Sequence, residues 1–309
     1  MILVEKDRHL KKSEPFFGAH KAYNKWICGQ QWNTKNTAYI SLGDWYNVAV
    51  PSPEEIDETE RFFNEFLGEI YILAGNHDFS TSDKVYSILP LRNNPRVKII
   101  TEPKVISMDG VSFAILPFKK NVKYMKEAYE NLSDEFINAE NVLYHFDDKS
   151  VSNKGIDISY LKGRKIGGHE HLVSDNYFLG MPINSCYTEK GQKNNILGID
   201  SQHHYNIIDV PTFVDYYDVE YGQDLPTVEA QFPIWNIINA PSKKQGEFYY
   251  RDKYPTIEIH EVKVLNKKQK KIENKEKSNS ITDFFDTYTN NRTDLKSWTI
   301  IRLRSIIEK

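Results

Sequence analysis

Residues 70–78, Ile70-Tyr71-Ile72-Leu73-Ala74-Gly75-Asn76-His77-Asp78, form an apolar run that breaks into an amide, an imidazole and a carboxylate. The run reads as a short strand because it is apolar, partly β-branched and closed by a small residue and a glycine. A polar turn with one left-handed residue is the plain account of Gly75 to Asp78. The chemical account is sharper: a neutral amide ligand, an imidazole, and a carboxylate placed to orient that imidazole. Folds built from alternating strands and helices carry their sites in such loops, at the carboxyl ends of strands.

The same grammar recurs on either side. Ile2-Leu3-Val4 leads into Asp7-Arg8-His9, and Tyr39 to Leu42 leads into Gly43-Asp44. Alone, the first reads as charged surface and the second as a turn. Val142 to Tyr144 ends in His145, and Lys165-Ile166 is followed by Gly167-Gly168-His169-Glu170-His171. Two histidines at i and i+2 of an extended segment point to opposite faces. The preceding glycine pair allows a turn that lets each imidazole reach a different ion of an adjacent pair. His203 and His204 lack the strand-end context and read as surface or packing residues.

Further apolar runs at Val97 to Ile100, Val105 to Ser107 and Val111 to Leu116 alternate with amphipathic stretches, the pattern of an α/β sandwich. Glu54 to Leu67 is expected to be a helix, with apolar residues at Ile56, Phe63, Phe66 and Leu67, acids in its first turn and Gly68 suited to the C-terminal cap. Asp109-Gly110 between two β-rich runs signals a hairpin.

A chain of 309 residues and 36.1 kDa can bury a substantial core in one or two domains. Its formal net charge of -3 excludes a protein that coats nucleic acid through overall basicity, so any such binding is local. Only Cys28 and Cys186 are present, too few for a disulfide framework or thiolate cluster, which fits a reducing compartment. No apolar run approaches the ~20 residues of a membrane helix, and Met1 leads straight into Ile2-Leu3-Val4 rather than a leader, so the expectation is a cytoplasmic protein with no membrane partner.

Residues 1–210 read as the catalytic domain. From Pro211 prolines and aromatics interrupt and helical periodicity fades, so 211–262 reads as a small β-rich domain. Lys263 to Lys277 holds seven lysines against two glutamates, a solvated linker (263–279) or a phosphate-facing patch. Residues 280–309 open on the capping pattern Ser280-Ile281-Thr282-Asp283 and carry apolar stripes at Phe284, Phe285, Tyr288 and at Trp298, Ile300, Ile301, Leu303, Ile307, implying two short helices.

The ordered set D-x-H, G-D, G-N-H-D, H, G-H-x-H over roughly residues 1–171 resembles the calcineurin-like metallophosphoesterase superfamily. The resemblance implies a four-layer α/β/β/α sandwich with a small capping domain and a C-terminal helical tail. It also implies two divalent metal ions, with Asp7, His9 and His171 on one, Asn76, His145 and His169 on the other, and Asp44 bridging. Donors of nitrogen and oxygen without thiolate suit Mn²⁺ best, with Mg²⁺, Fe and Zn²⁺ as further options. Two such ions about 3.5–4 Å apart clamp phosphoryl oxygens and neutralise charge during in-line displacement. His77 is then the group that stabilises the transition state or protonates the leaving oxygen, with Asp78 orienting it.

The protein-phosphatase branch carries G-D-x-x-D-R-G, whereas this chain reads GDWYNVAVPSP from Gly43 to Pro53. That segment resembles the G-D-L-F-x-x-x-x-P-S stretch of the DNA double-strand-break nucleases typified by SbcD and phage recombination endonuclease subunits. Leu179 to Asp200, LGMPINSCYTEKGQKNNILGID, is similar to the same family's segment after the G-H-x-H. Ile281 to Tyr288 resembles the helices by which these nucleases grip the coiled-coil base of an SbcC-like ABC-type ATPase. The resemblance therefore implies a Mn²⁺-dependent exo- and endonuclease of DNA repair and recombination, docked on that ATPase through 280–309, with a homodimer through the catalytic domain as the family habit. Two departures stand out. Pro211 to Val264 shows no match to the family's capping domain, and Arg8 occupies a position usually apolar, where it meets a phosphate or lies on the surface. The rival readings are a stand-alone phosphoesterase acting on nucleotides or other small phosphoesters, and a scaffold that keeps the fold without activity.

Overall fold

The computed structural model describes residues 1–80, 85–150, 152–171 and 179–265. In chain order the elements are β1 (Ile2–Glu5), α1 (Phe16–Cys28), β2 (Ala38–Ser41), α2 (Pro53–Glu65), β3 (Glu69–Leu73), the short pair β4 (Phe79–Ser80) and β5 (Val85–Tyr86), β6 (Val97–Ile100), β7 (Lys104–Met108), β8 (Val111–Leu116), α3 (Val122–Tyr129), α4 (Asp134–Ile137), β9 (Asn141–Tyr144), β10 (Arg164–Gly167), β11 (Asn195–Ile199), β12 (Tyr205–Asp209), β13 (Val214–Glu220), β14 (Phe232–Ala240), α5 (Lys243–Lys253) and β15 (Glu258–Val264). The protein is mixed α/β. A six-stranded sheet runs β12-β11-β1-β2-β3-β6 and a four-stranded sheet runs β10-β9-β8-β7. In the first, β1, β2, β3 and β6 are parallel while β11 and β12 return antiparallel. In the second, β8, β9 and β10 are parallel.

Period-two alternation divides the strand residues between cores. Ile2, Val4, Ile40, Leu42 and Leu73 of the larger sheet share one cluster with Val111, Phe113, Ile115, Leu143 and Ile166 of the smaller. Leu3, Tyr39, Ile70 and Ile72, on the opposite pleat of the larger sheet, pack with Ala19, Tyr23 and Ile27 of α1 and Phe62 and Phe63 of α2. Ala114, Leu116, Val142 and Tyr144 pack with Met125 and Tyr129 of α3. A strand shifted by one residue would exchange these faces, so the pattern fixes register and aims all five ligand-bearing loops the same way.

The helix expected from Glu54 forms, and Ser52 starts it with a full capping box, its Oγ accepting from Glu55 N while Glu55 Oε2 accepts from Ser52 N. A cap of this kind stabilises a helix by about 1 kcal/mol. Its buried stripe is Glu55, Glu58, Thr59, Phe62 and Phe63, whereas Ile56 and Leu67, two of the apolar positions of the expected helix, are 38% and 47% exposed. Gly68 is not the cap. The chain leaves the helix at Phe66, and a Cβ on Gly68 would lie 1.7 Å from Thr37 O, so close approach of the β2 entry explains that glycine. Asp109 and Gly110 make the hairpin turn with φ of 49° and 85° between Met108 and Val111.

Two compact units result among the described residues: 1–217 with 226–234, and 218–225 with 235–265. The second contains the later parts of β13 and β14, and β15, in the sheet order β13-β14-β15, with α5 packed on it through Gly246 and Tyr250. The reading of 211–262 as lacking helical periodicity therefore missed α5, which Ser242 caps by accepting from Gln245 N. β15 extends to Val264, into the stretch read as linker. Residues 266–279 of that stretch and the tail at 280–309 lie outside the described residues.

Candidate metal centre

Each candidate ligand follows the carboxyl end of a parallel strand. Asp7 and His9 follow β1, Asp44 follows β2, Asn76 to Asp78 follow β3, His145 ends β9, and His169 and His171 follow β10. Asp7, His9, Asp44, Asp78 and His145 are all nearly or wholly buried. Three of the seven candidate ligands hold left-handed backbone conformations that non-glycine residues seldom adopt: His9 at φ 48°, Asp44 at 48° and His169 at 74°. Such conformations cost on the order of 1 kcal/mol each and persist where surrounding structure enforces them. Here the enforcement is visible. His9 N donates to Asp44 O at 2.8 Å, and His169 N donates to Asp7 Oδ2 at 2.7 Å.

The side chains meet in two adjoining groups. In the first, His9 Nε2 lies 3.0 Å from His171 Nε2, and His171 Nε2 lies 3.6 Å from Asp7 Oδ2. In the second, Asn76 Oδ1 lies 2.9 Å from His145 Nε2 and 2.8 Å from His169 Nδ1. Asp44 stands between them, its Oδ2 3.6 Å from His9 Nε2 and 3.3 Å from His145 Nε2. Asp7–His9–His171 and Asp44–His145–His169 each bring one donor atom per residue within 4.8 Å, and either group could hold a metal ion. The spacing fits: ligands about 2.1 Å from an ion sit about 3.0–3.4 Å from one another at right or tetrahedral angles. The Gly167-Gly168 turn thus sends His169 and His171 to different groups.

No family model matches the chain, and no curated protein matches it.

The electrostatics follow from buried carboxylates set among imidazoles. Burial alone would raise Asp7, but His145, His171 and His9 outweigh it and hold its carboxyl well below the usual range. Burial opposes a charge on His145 too, yet Asp44 and Asp7 beside it push its basicity well up. Burial lowers His9 to about 4, so its ring is a neutral donor near neutral pH. Tautomers are set by second partners. His145 Nδ1 lies 2.8 Å from the Leu42 carbonyl, which makes it the N–H side and leaves Nε2 facing the cluster.

Asp78 does a different job from the one expected. Its carboxylate accepts from Gly75 N at 2.9 Å and from Trp45 N and Tyr46 N at 3.4 Å, lashing the β2 and β3 loops together. Burial, then the charge of Asp44, pushes it up to about 7. The acceptor that orients His77 is instead the Asn47 carbonyl, 2.7 Å from His77 Nδ1. The exposed His77 ring packs edge-on against His9 at 4.7 Å, and its backbone N donates to Asp44 Oδ1 at 2.8 Å.

Arg8 is neither a phosphate contact nor surface. It is 1% exposed, with its guanidinium 4.3 Å from both the Trp45 and Phe62 rings, a hydrogen bond to Asn24 Oδ1 and Glu5 Oε1 at 3.7 Å. The turn after β1, with His9 in the left-handed region, brings Asp7 and His9 to the cluster and leaves the residue between them in the core beneath. Glu189 is the functional candidate that residue-by-residue reading passed over, although it lies within the Leu179–Asp200 segment. It is 1% exposed, its Oε1 lies 2.5 Å from His171 Nδ1, and its Oε2 accepts from Ser185 N and Cys186 N. Burial works against its charge, but the His171 contact and the backbone donors hold it near 2. Asp147 stands 3.6 Å from His169 Nε2 in a comparable outer position. His203 and His204 are exposed; His203 Nε2 lies 3.1 Å from Asp109 O and its Nδ1 4.0 Å from Glu140, and His204 Nδ1 lies 3.2 Å from Asp200.

Proposed function

We propose that this chain is a two-metal phosphodiesterase that hydrolyses DNA, the nuclease subunit of an SbcCD-like recombination and repair complex. The observation that supports its two-metal chemistry is the convergence of Asp7, His9, Asp44, Asn76, His145, His169 and His171 from five strand-end loops into two adjoining groups sharing Asp44, while the DNA substrate rests on the resemblance of residues 43–53 and 179–200. The arrangement of helices outside two sheets that share a core supports the finer reading of a four-layer α/β/β/α sandwich. The donor set, two carboxylates, one amide and four imidazoles, favours Mn²⁺ over softer ions.

When bound, the two cations supply charge neutralisation to a phosphoryl group and acidify a nucleophilic water. The chain does the rest. His145 and His171 are held with Nδ1 as the donor, by Leu42 O and Glu189, so Nε2 of each presents a lone pair inward. Asp44, fixed by the His77 amide, spans both groups. His77 keeps a proton on Nδ1 toward Asn47 O, which leaves Nε2 to carry the exchangeable proton given to a leaving oxygen. The SbcC-like ATPase is proposed to dock on 280–309 and a homodimer to form through the catalytic domain. Among the described residues no helix is long and apolar enough to cross a membrane.

The test is a digestion series on linear and hairpin DNA with each divalent cation, beside a small phosphodiester such as bis(p-nitrophenyl) phosphate. Mn²⁺-dependent cutting of DNA is expected. Turnover of the small ester with intact DNA would replace the nuclease by a small-molecule phosphoesterase.

A further inference from the structure

The loop leaving β8 and the start of α3 carry chemistry that the metal cluster does not use. Residues 119–126 read Lys119-Lys120-Asn121-Val122-Lys123-Tyr124-Met125-Lys126, four lysines with no acid, in a chain whose net charge is -3. The residue just before the segment, Phe118, is tied to the exit of β3. Phe118 N donates to Ala74 O at 2.8 Å, directly before Gly75-Asn76, and Tyr86 OH donates to Phe118 O at 2.9 Å. Lys119 is committed, pairing with Glu102. Lys120 holds φ at 35°, a left-handed conformation for a long side chain, and its Nζ lies 5.0 Å from the centre of the Tyr124 ring. Tyr124 is 46% exposed, and the Lys123 side chain is 82% exposed with Glu127 3.9 Å away. Asn121 fixes the geometry by capping α3, its Oδ1 accepting from Lys123 N and Tyr124 N.

A solvent-facing aromatic flanked by lysines, six residues beyond the Phe118 anchor on the β3 exit, has the composition of a single-strand platform: the ring stacks on a base and the ammonium groups track phosphates. We propose that Tyr124, Lys120 and Lys123 dock a single-stranded DNA end or an unwound terminus leading toward the metal cluster. This rests on the phosphodiesterase reading above but depends on different residues, none of them a ligand. A double helix presents no exposed base face, so the preference is for unpaired ends.

The experiment uses the full chain with fluorescently labelled single-stranded and blunt duplex oligonucleotides in EDTA, measured by anisotropy across a salt series. Tyr124→Ala is expected to weaken single-strand binding by at least about fivefold, and Tyr124→Trp to restore it. Lys120→Gln with Lys123→Gln is expected to flatten the log–log salt slope by about 0.7 for each phosphate left without its ammonium partner. Hydrolysis of bis(p-nitrophenyl) phosphate with Mn²⁺ should match the parent in every variant. Parental DNA affinity and slope in the variants would overturn the platform while leaving a nuclease intact. Absence of DNA binding by the parent would overturn the platform as well. If the variants lose DNA binding but the parent hydrolyses no phosphodiester, the platform stands and the catalytic reading falls.

Discussion

Replacing Glu189 with glutamine tests whether the buried carboxylate behind His171 sets the affinity of one metal group. Oε1 takes the His171 Nδ1 proton at 2.5 Å, and Oε2 accepts two backbone amides, from Ser185 and Cys186. Glutamine can satisfy only one side. With its carbonyl toward His171, the new NH₂ group faces two backbone donors in a buried site, at a cost of about 1–3 kcal/mol. With its carbonyl toward those amides, the NH₂ faces Nδ1, moves the ring proton to Nε2 and blocks the atom that faces His9 and Asp7. Either arrangement should lower metal affinity by about 10–100-fold, or about 1.4–2.7 kcal/mol. Titration of the metal-stripped chain with Mn²⁺ should show the site on Asp7, His9 and His171 shifted to weaker binding and the other, on Asp44, His145 and His169, retained. In the metal-free chain the parent's stability advantage over the variant should be greatest between pH about 4.5 and the raised titration of His171, shrinking as pH falls toward about 2, where the folded carboxyl is held, and again as pH rises past His171. Parental affinity at both sites in Glu189→Gln would refute the role given to this carboxylate.

Other perturbations separate roles within the cluster. His77→Ala is expected to retain both metals by elemental analysis yet lose about 10²–10⁴-fold in turnover, whereas Asp44→Ala should lose metal occupancy itself. Gly43→Ala places a Cβ 2.3 Å from His145 Nδ1 at a backbone φ of +117°, so thermal melting should show destabilisation and metal affinity should fall with it. Arg8→Ala strands Glu5, which is fully buried, and should cost about 3–5 kcal/mol in chemical denaturation without direct effect on a ligand.

Strand-end loops were legible because short apolar runs and their polar exits are local signals, and the ligand order could be read from one end to the other. What escaped was set by partners distant in sequence. α1 buries His20 and Asn24 beside Ala19, Tyr23 and Ile27, so its inward stripe is not apolar and its period is masked. α5 buries only Gly246 and Tyr250. The exchange of Asp78 for Asn47 O as the His77 partner arises from the β2 loop folding over the β3 loop, which spacing along the chain cannot reveal. Arg8 looked like a phosphate contact or surface because a charge between two ligands is usually wet; only the turn after β1 and the Trp45–Phe62 box make it a core cation.

The most direct measurement of two-metal DNA hydrolysis is cutting by the metal-stripped chain as Mn²⁺ is added back. The expected result is no cutting without metal, cutting that saturates as two ions bind per chain, and loss of both in Asp44→Ala. Cutting that persists in EDTA, or tight binding of two ions with no hydrolysis of DNA or of a small phosphodiester, would contradict it.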